Sequence, residues 1–365
     1  MKKNIAVMMS LLLTASLLGG CGNSGSGTTA APTEAGTKAA VESTAAEVKT
    51  EPAGNGGANS YPERDLKAMI GYGAGGATDM AVRPLFTAAE KLLGSSIVVE
   101  NTAGASGSTS WLAACEAAPD GYTLCIGAET PALYDAYDLI QYTYDDVIPI
   151  MVVSEAVQTI TVAADSPYQT VKDLFQADID NPGSVLKVAS GKVGINGTLS
   201  AIWKTAAGFD PGTYTSDGAS SSIVTVLGGF ADFCVSSTAA VQSYKDSGDV
   251  RVLCTNSVER YWDDVPAIVE DYPEMEKYLP LGAFYTICVP ADTDPEVVAY
   301  LTDVFTQAYN SDEFQQSLKD QGLSGLGLTG EEAKKFLDEW RHKALLALTE
   351  SGVVEKTMKD LGYDE

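Results

Sequence analysis

The sequence predicts an α/β fold built as two domains joined by crossing strands. Two observations carry this prediction. A rhythm of strand, glycine-bearing turn and helix occurs twice along the chain, and three apolar runs (residues 148–153, 159–163 and 283–289) have the length and composition of strands passing between two such regions.

The chain opens with a short positive segment, Lys2-Lys3, and an almost purely apolar run over residues 5–18. That run is too short for a comfortable membrane span and has the length of a signal-peptide core. It ends in Leu18-Gly19-Gly20-Cys21, the lipobox pattern of bacterial lipoproteins. Residues 1–21 are therefore read as a lipoprotein signal with lipidation at Cys21; the alternative is an ordinary signal peptide with a cysteine nearby by chance. Lipidation places the mature chain outside the cytoplasm, anchored to a membrane surface by acyl chains, periplasmic or on the outer face of the cell membrane. Residues 22–60 are mostly Ala, Gly, Ser, Thr and Glu with no aromatic residue and no periodic apolar pattern. Such a segment buries too little surface to offset the cost of ordering it, so a disordered tether is predicted, with the folded body starting near Tyr61-Pro62.

About 300 residues remain for that body, enough for one large or two medium domains. The formal net charge of −26 argues against nucleic-acid binding, which needs Lys and Arg to neutralise phosphates. It leaves an anionic ligand possible, because backbone N–H groups at helix N-termini hold a carboxylate without any basic side chain. Besides Cys21 the chain has Cys115, Cys125, Cys234, Cys254 and Cys288, mostly in apolar, strand-like stretches and without CxxC spacing. No metal site is expected from them.

In the first region, residues 66–70 read as a strand and a helix runs to about Leu93. A strand over 97–100, a second glycine turn over 103–107, a helix through Ala118 and a third strand over 122–127 follow. In the second region, 186–189 is a strand, 191–197 a turn and 199–207 a helix; 223–227 is helical, and 233–235 and 250–255 are strands. Residues 331–361 read as an amphipathic helix with Ala333, Phe336, Leu337 and Trp340 on one face.

The turn Gly71-Tyr72-Gly73-Ala74-Gly75-Gly76 satisfies GxGxxG between a strand and a helix, with Glu100 ending the next strand. An exported nucleotide-dependent oxidoreductase is therefore a competing reading. Nicotinamide cofactors are not normally supplied outside the cytoplasm, however, and a second glycine loop follows Glu100. No cofactor is expected. Thr78 or Asp79 is a natural N-cap for the helix, and Pro84 suggests a late start or a slight kink. Asp79 has two readings, a cap and loop brace or a direct ligand contact. His342, the only histidine, lies in the charged segment Trp340-Arg341-His342-Lys343 with no nucleophile motif around it. Asp145-Asp146 and Asp263-Asp264 read as turns and caps, so no catalytic group is expected.

Several motifs, in order, resemble one family. They are Tyr61-Pro62; Gly73-Ala74-Gly75-Gly76-Ala77-Thr78-Asp79 with Arg83; Val98-Val99-Glu100-Asn101; Gly104-Ala105-Ser106-Gly107; Ala118-Pro119-Asp120-Gly121-Tyr122-Thr123-Leu124; and Leu227-Gly228-Gly229 with Asp232. Together with Val265-Pro266 they resemble the tripartite tricarboxylate transporter receptors, the Bug or TctC-type extracytoplasmic solute-binding proteins. The resemblance implies a two-domain periplasmic-binding-protein type II fold with mixed sheets and a hinge of crossing strands. Residues 61–160 and 283–365 would form domain 1, and 161–282 domain 2. It implies capture of a small organic acid, carboxylate or amino-acid-like, in the interdomain cleft. It also implies large and small integral-membrane permease subunits as partners, with no catalysis and no metal. A ligand sensor for a membrane signalling kinase is the alternative.

Carried over position by position, the resemblance implies ligand contacts from Tyr72, Gly73, Gly75, Gly76, Ala77, Thr78 and Asp79 in the first loop. Glu129 and Thr130 lie past the third strand. Ser190, Gly191, Gly194, Gly197 and Thr198, with Ser216, Ser236 and Ser237, come from the other domain. The chain departs from the family at Gly71-Tyr72, where Pro-Phe is usual, at Thr198, where a histidine is usual, and at Ser216-Asp217-Gly218, where Tyr-Lys-Gly is usual. Losing a lysine and gaining Asp217 and Glu129 near the cleft disfavours a highly charged polycarboxylate. A monocarboxylate, a dicarboxylate held largely by amides, or a ligand with a cationic group such as an amino acid is predicted instead.

Overall fold

A computed structural model of the chain describes residues 61–189, 193–215 and 219–364. The signal with Cys21 and the tether over 22–60 lie outside the described residues, as do Ser190, Gly191, Ser216, Asp217 and Gly218.

The chain runs β1 (Leu66–Ile70), α1 (Ala77–Leu93), β2 (Ile97–Asn101), α2 (Ser108–Cys115), β3 (Thr123–Gly127), β4 (Val147–Ala156), β5 (Gln158–Ala163), α3 (Val171–Asp180), β6 (Leu186–Ala189) and α4 (Ile195–Ala207). It continues through β7 (Gly212–Thr215), α5 (Ala219–Leu227), β8 (Phe233–Ser237), α6 (Thr238–Ser247), β9 (Val250–Thr255), α7 (Ile268–Asp271) and β10 (Ala283–Pro290). It closes with α8 (Pro295–Tyr309), α9 (Asp312–Asp320), β11 (Ser324–Leu328) and α10 (Gly330–Glu350). Two mixed sheets result, ordered β11-β4-β10-β3-β1-β2 and β7-β6-β8-β5-β9. In the first, β1 is parallel to β2 and β3, while β10 is antiparallel to both β3 and β4. In the second, β6 is parallel to β7 and β8, and β5 runs antiparallel to β8 and β9.

Passage between the sheets is short. β4 ends at Ala156 in the first sheet and β5 starts at Gln158 in the second, so Val157 alone makes the first crossing. The return runs from β9 to β10 through residues 256–282. β4 and β10 pair side by side in the first sheet, so the outgoing and returning chains are tied together there.

One apolar cluster spans both sheets. It joins Trp111, Phe284 and Trp340 on the first to Trp203, Phe175 and Phe233 on the second. Phe175 and Phe209 stack at 3.9 Å with Trp203 and Phe233 beside them. The last helix, α10, helps to bridge the two sides. Its Arg341 makes a bidentate pair with Asp135 at 2.7 and 3.0 Å, and the Trp340 indole donates to Gly282 O at 2.9 Å.

Several boundaries differ from the sequence prediction. The N-cap of α1 is Gly76, not Thr78 or Asp79: Gly76 is extended and its carbonyl accepts the first helical bond, from Met80 N–H at 2.9 Å. The helix runs through Pro84 without a late start. Helix α2 stops at Cys115 rather than Ala118, four residues before Pro119. Helix α4 begins at Ile195, so Gly197 and Thr198 belong to its first turn and not to the preceding loop. The terminal helix ends at Glu350, and Gly352 beyond it adopts a left-handed φ of 70°. Helices α3, α6, α7, α8 and α9 and strands β7 and β11 have no counterpart in the sequence reading.

The Trp203 indole is fully buried and donates to Asn256 Oδ1 at 3.0 Å. Trp203→Ala should therefore cost about 3–5 kcal/mol of stability. The urea midpoint should fall while the slope of the transition stays unchanged.

Candidate functional site

The strand order reverses at β1, which has β2 on one side and β3 on the other. The crevice beyond the carboxyl end of such a strand is where open α/β sheets bind ligands. The loop over residues 71–76 leaves β1 there, and residues 102–107 leave β2 beside it. The two loops touch backbone to backbone: a Cβ on Gly71 would lie 2.6 Å from Gly107 Cα, so glycine is required at 71 by close approach alone.

Asp79 braces this loop from within α1. Its Oδ2 accepts from Gly75 N–H at 2.9 Å and Arg83 Nε at 2.7 Å, and its Oδ1 accepts from Asn101 Nδ2 at 3.1 Å. Asn101 Nδ2 also donates to Tyr72 O at 3.0 Å. Burial works to raise the Asp79 carboxyl, but the bonds from Arg83, Gly75 and Asn101 outweigh it and hold the group below the usual carboxylate range. With Asp79 turned to the loop and Gly76 bringing no side chain, the N–H groups of Ala77, Thr78 and Asp79 have no acceptor within the helix and no side-chain cap.

A second helix start faces the same place. The N-cap of α4 is Gly194, buried and at φ 104°, again without a side-chain cap. Its first amide is satisfied from the other sheet: Ile195 N–H donates to Glu129 Oε1 at 3.1 Å. A Cβ on Gly194 would lie 2.9 Å from that oxygen, so this approach depends on glycine. Glu129 is 8 % exposed, and burial raises its carboxyl above the ordinary range against the pull of its own and the Ile195 backbone bonds. A third start, that of α6, is capped by Ser237, whose Oγ accepts from Ala240 N–H at 3.3 Å.

Between these starts lies a cavity of about 200 Å³. Of the predicted residues, Tyr72, Ala77, Thr78, Glu129, Ser236 and Ser237 line it. Gly73 and Gly75 are exposed on the loop and Gly76 is half-buried at the helix start. Asp79 is held in the brace. Thr130 is buried behind the lining, bonded to the Tyr72 hydroxyl and 3.2 Å from that of Tyr134. Gly194 lies under Glu129; Gly197 is half-buried in the first turn of α4, and Thr198 is fully buried there with its hydroxyl on Gly194 O at 3.1 Å. Ser190, Gly191 and Ser216 fall outside the described residues.

The sequence reading missed Gln158, Asn196 and Tyr285, which also line the cavity. Gln158 opens β5 at the crossing and carried one readable signal, a polar side chain inside an apolar run. A larger recess of about 280 Å³ lies between Tyr144 and α10 near Arg341, away from every glycine loop. His342 packs edge-on against Tyr363 at 5.0 Å and does not line the cavity. The five described cysteines are free thiols.

The brace sets an acid dependence. Since the folded-state value of Asp79 lies below that of an unfolded carboxylate, its contribution is complete above about pH 5 and is lost as pH falls through the folded value. Asp79→Asn should cost about 1–2 kcal/mol at neutral pH. Urea midpoints taken between about pH 5 and pH 3 should fall less steeply for the variant than for the parent chain.

Comparison with known proteins places this geometry in context. A Cupriavidus necator protein, described as a UPF0065 protein in the gbd 5′ region, is 28% identical over 310 residues, covering 82% of this chain and 89% of that one. BugT of Bordetella pertussis is 24% identical over 287 residues, 77% of this chain and 87% of its own. A solved structure from R. palustris, described as that of Rpa4515 with adipate, superposes with a TM-score of 0.72 at 20% identity, covering 80% of this chain and 98% of that one. The model of the tripartite tricarboxylate transporter family receptor, TctC, matches residues 81–351, and the chain belongs to that family of extracytoplasmic solute-binding receptors.

Proposed function

We propose that this receptor captures one small carboxylate or amino-acid-like molecule in the cavity between its sheets and presents it to a membrane permease. The observation that carries the reading is the convergence of three helix starts on one small cavity, two of them with glycine N-caps. Uncapped N–H groups and the helix dipole favour an anion there. Backbone recognition of this kind needs no basic side chain, which suits a chain of net charge −26. The adipate in the R. palustris relative supports a carboxylate ligand. A cavity of about 200 Å³ is matched to a small metabolite and is below the roughly 300–1,000 Å³ of drug-sized sites, which argues against a dinucleotide.

In this reading the body built on the first sheet closes against the body built on the second, hinged at Val157 and along 256–282. The cleft acts without catalysis. Large and small integral-membrane subunits receive the ligand, and lipidation at Cys21 with the tether over 22–60 keeps the body within reach of them.

A thermal-shift screen of organic acids, amino acids and nucleotides tests the proposal. At about 100-fold over its dissociation constant a true ligand should raise the midpoint by on the order of 5 °C. Shifts should come from small carboxylates. A shift from nucleotides alone would reject it.

A further inference from the structure

We propose that Glu129 makes the cleft select a ligand carrying an ammonium group beside its carboxylate, an amino-acid-like zwitterion, over the same carbon skeleton without the amine. The inference rests on the receptor reading above and names the ligand class within it.

Glu129 leaves the end of β3 in one sheet and reaches the first amide of α4 in the other. The anion-attracting start of α4 therefore already has a carboxyl group on it, and the protein supplies it. A ligand carboxylate entering the same position would meet Glu129 at contact distance. In its ionised form that carboxylate repels a second carboxylate placed beside it in a partly buried site. The open anion position is the start of α1, where Ala77 and Thr78 line the cavity.

Among the described residues Glu129 also has no counter-ion. None of the ion pairs among the described residues includes it. It is the one side chain lining the cavity, among the described residues, that is a carboxylate or a cationic group; the polar remainder is amide, hydroxyl and phenol. A carboxylate this deeply buried, with only backbone N–H partners, is costly in its ionised form. An ammonium group placed against it supplies the missing charge. The cavity thus has two ends of opposite preference: amides of α1 for a carboxylate, Glu129 for a cation. The same carboxylate spans the two sheets, so pairing it with a ligand cation couples capture to closure.

Calorimetric titration of the purified full chain with matched pairs tests this: L-aspartate against succinate, L-glutamate against glutarate, and L-alanine against propionate. The parent chain should bind the amine-bearing member of its best pair at least about tenfold more tightly, since losing one partner of a buried charge pair is costly. Glu129→Gln, similar in shape but neutral, should lose that preference and gain affinity for the plain acid. Glu129→Asp keeps the charge and should keep the direction of the preference, a second readout if the Gln variant folds poorly. Equal or tighter binding of the plain acids by the parent chain would overturn the inference and leave the receptor reading standing. An unchanged preference in Glu129→Gln would also overturn it. Binding of no small acid at all would remove the receptor reading itself.

Discussion

The proposed recognition in this chain depends on backbone N–H groups that no carbonyl of their own helix can reach. Every α-helix begins with such groups, and most proteins satisfy them with a Ser, Thr, Asp or Asn cap. Here α1 and α4 begin on glycine instead, and the one carboxylate near the start of α1, Asp79, is turned back to Gly75, Arg83 and Asn101. The cost of leaving amides uncapped is tolerable where a ligand or another part of the fold completes them. At α4 that other part is Glu129, 66 positions earlier in the chain.

The rest of the architecture serves that placement. Parallel strands β1, β2 and β3 put two glycine loops at one end of the first sheet, locked together at Gly71 and Gly107. A single-residue crossing at Val157 sets the second sheet so that β8 and α4 face the same cavity. The apolar cluster that includes Trp340 and Trp203 runs across both sheets.

Much of the fold was legible because its signals are local. Alternation of apolar strands with glycine turns located β1–β3, β6 and β8–β10 within a few residues, and the ordered family motifs located the first loop. The errors have a common cause in competition between side chain and backbone. Thr78 and Asp79 have the chemistry of N-caps, yet Gly76 takes the position because the Asp79 carboxylate has better partners in Arg83 and Asn101. Thr198 reads as a loop residue preceding a helix, but the helix starts three residues earlier at Ile195, directly after the glycine that Glu129 overhangs. Glu129 could be marked as an unusual cleft residue from its position after β3. Its partner could not be read, since Ile195 meets it only through tertiary folding. Tyr285 is hidden for a different reason: it lies in a strand whose apolar composition reads as core.

The most direct measurement is a crystal structure of the chain with its best-binding small acid. The account predicts carboxylate oxygens within about 2.7–3.2 Å of the N–H groups of Ala77 and Thr78, in the cavity flanked by Glu129 and Ser236. An acid bound elsewhere, such as the recess beside Arg341, with the α1 amides facing only solvent, would contradict it.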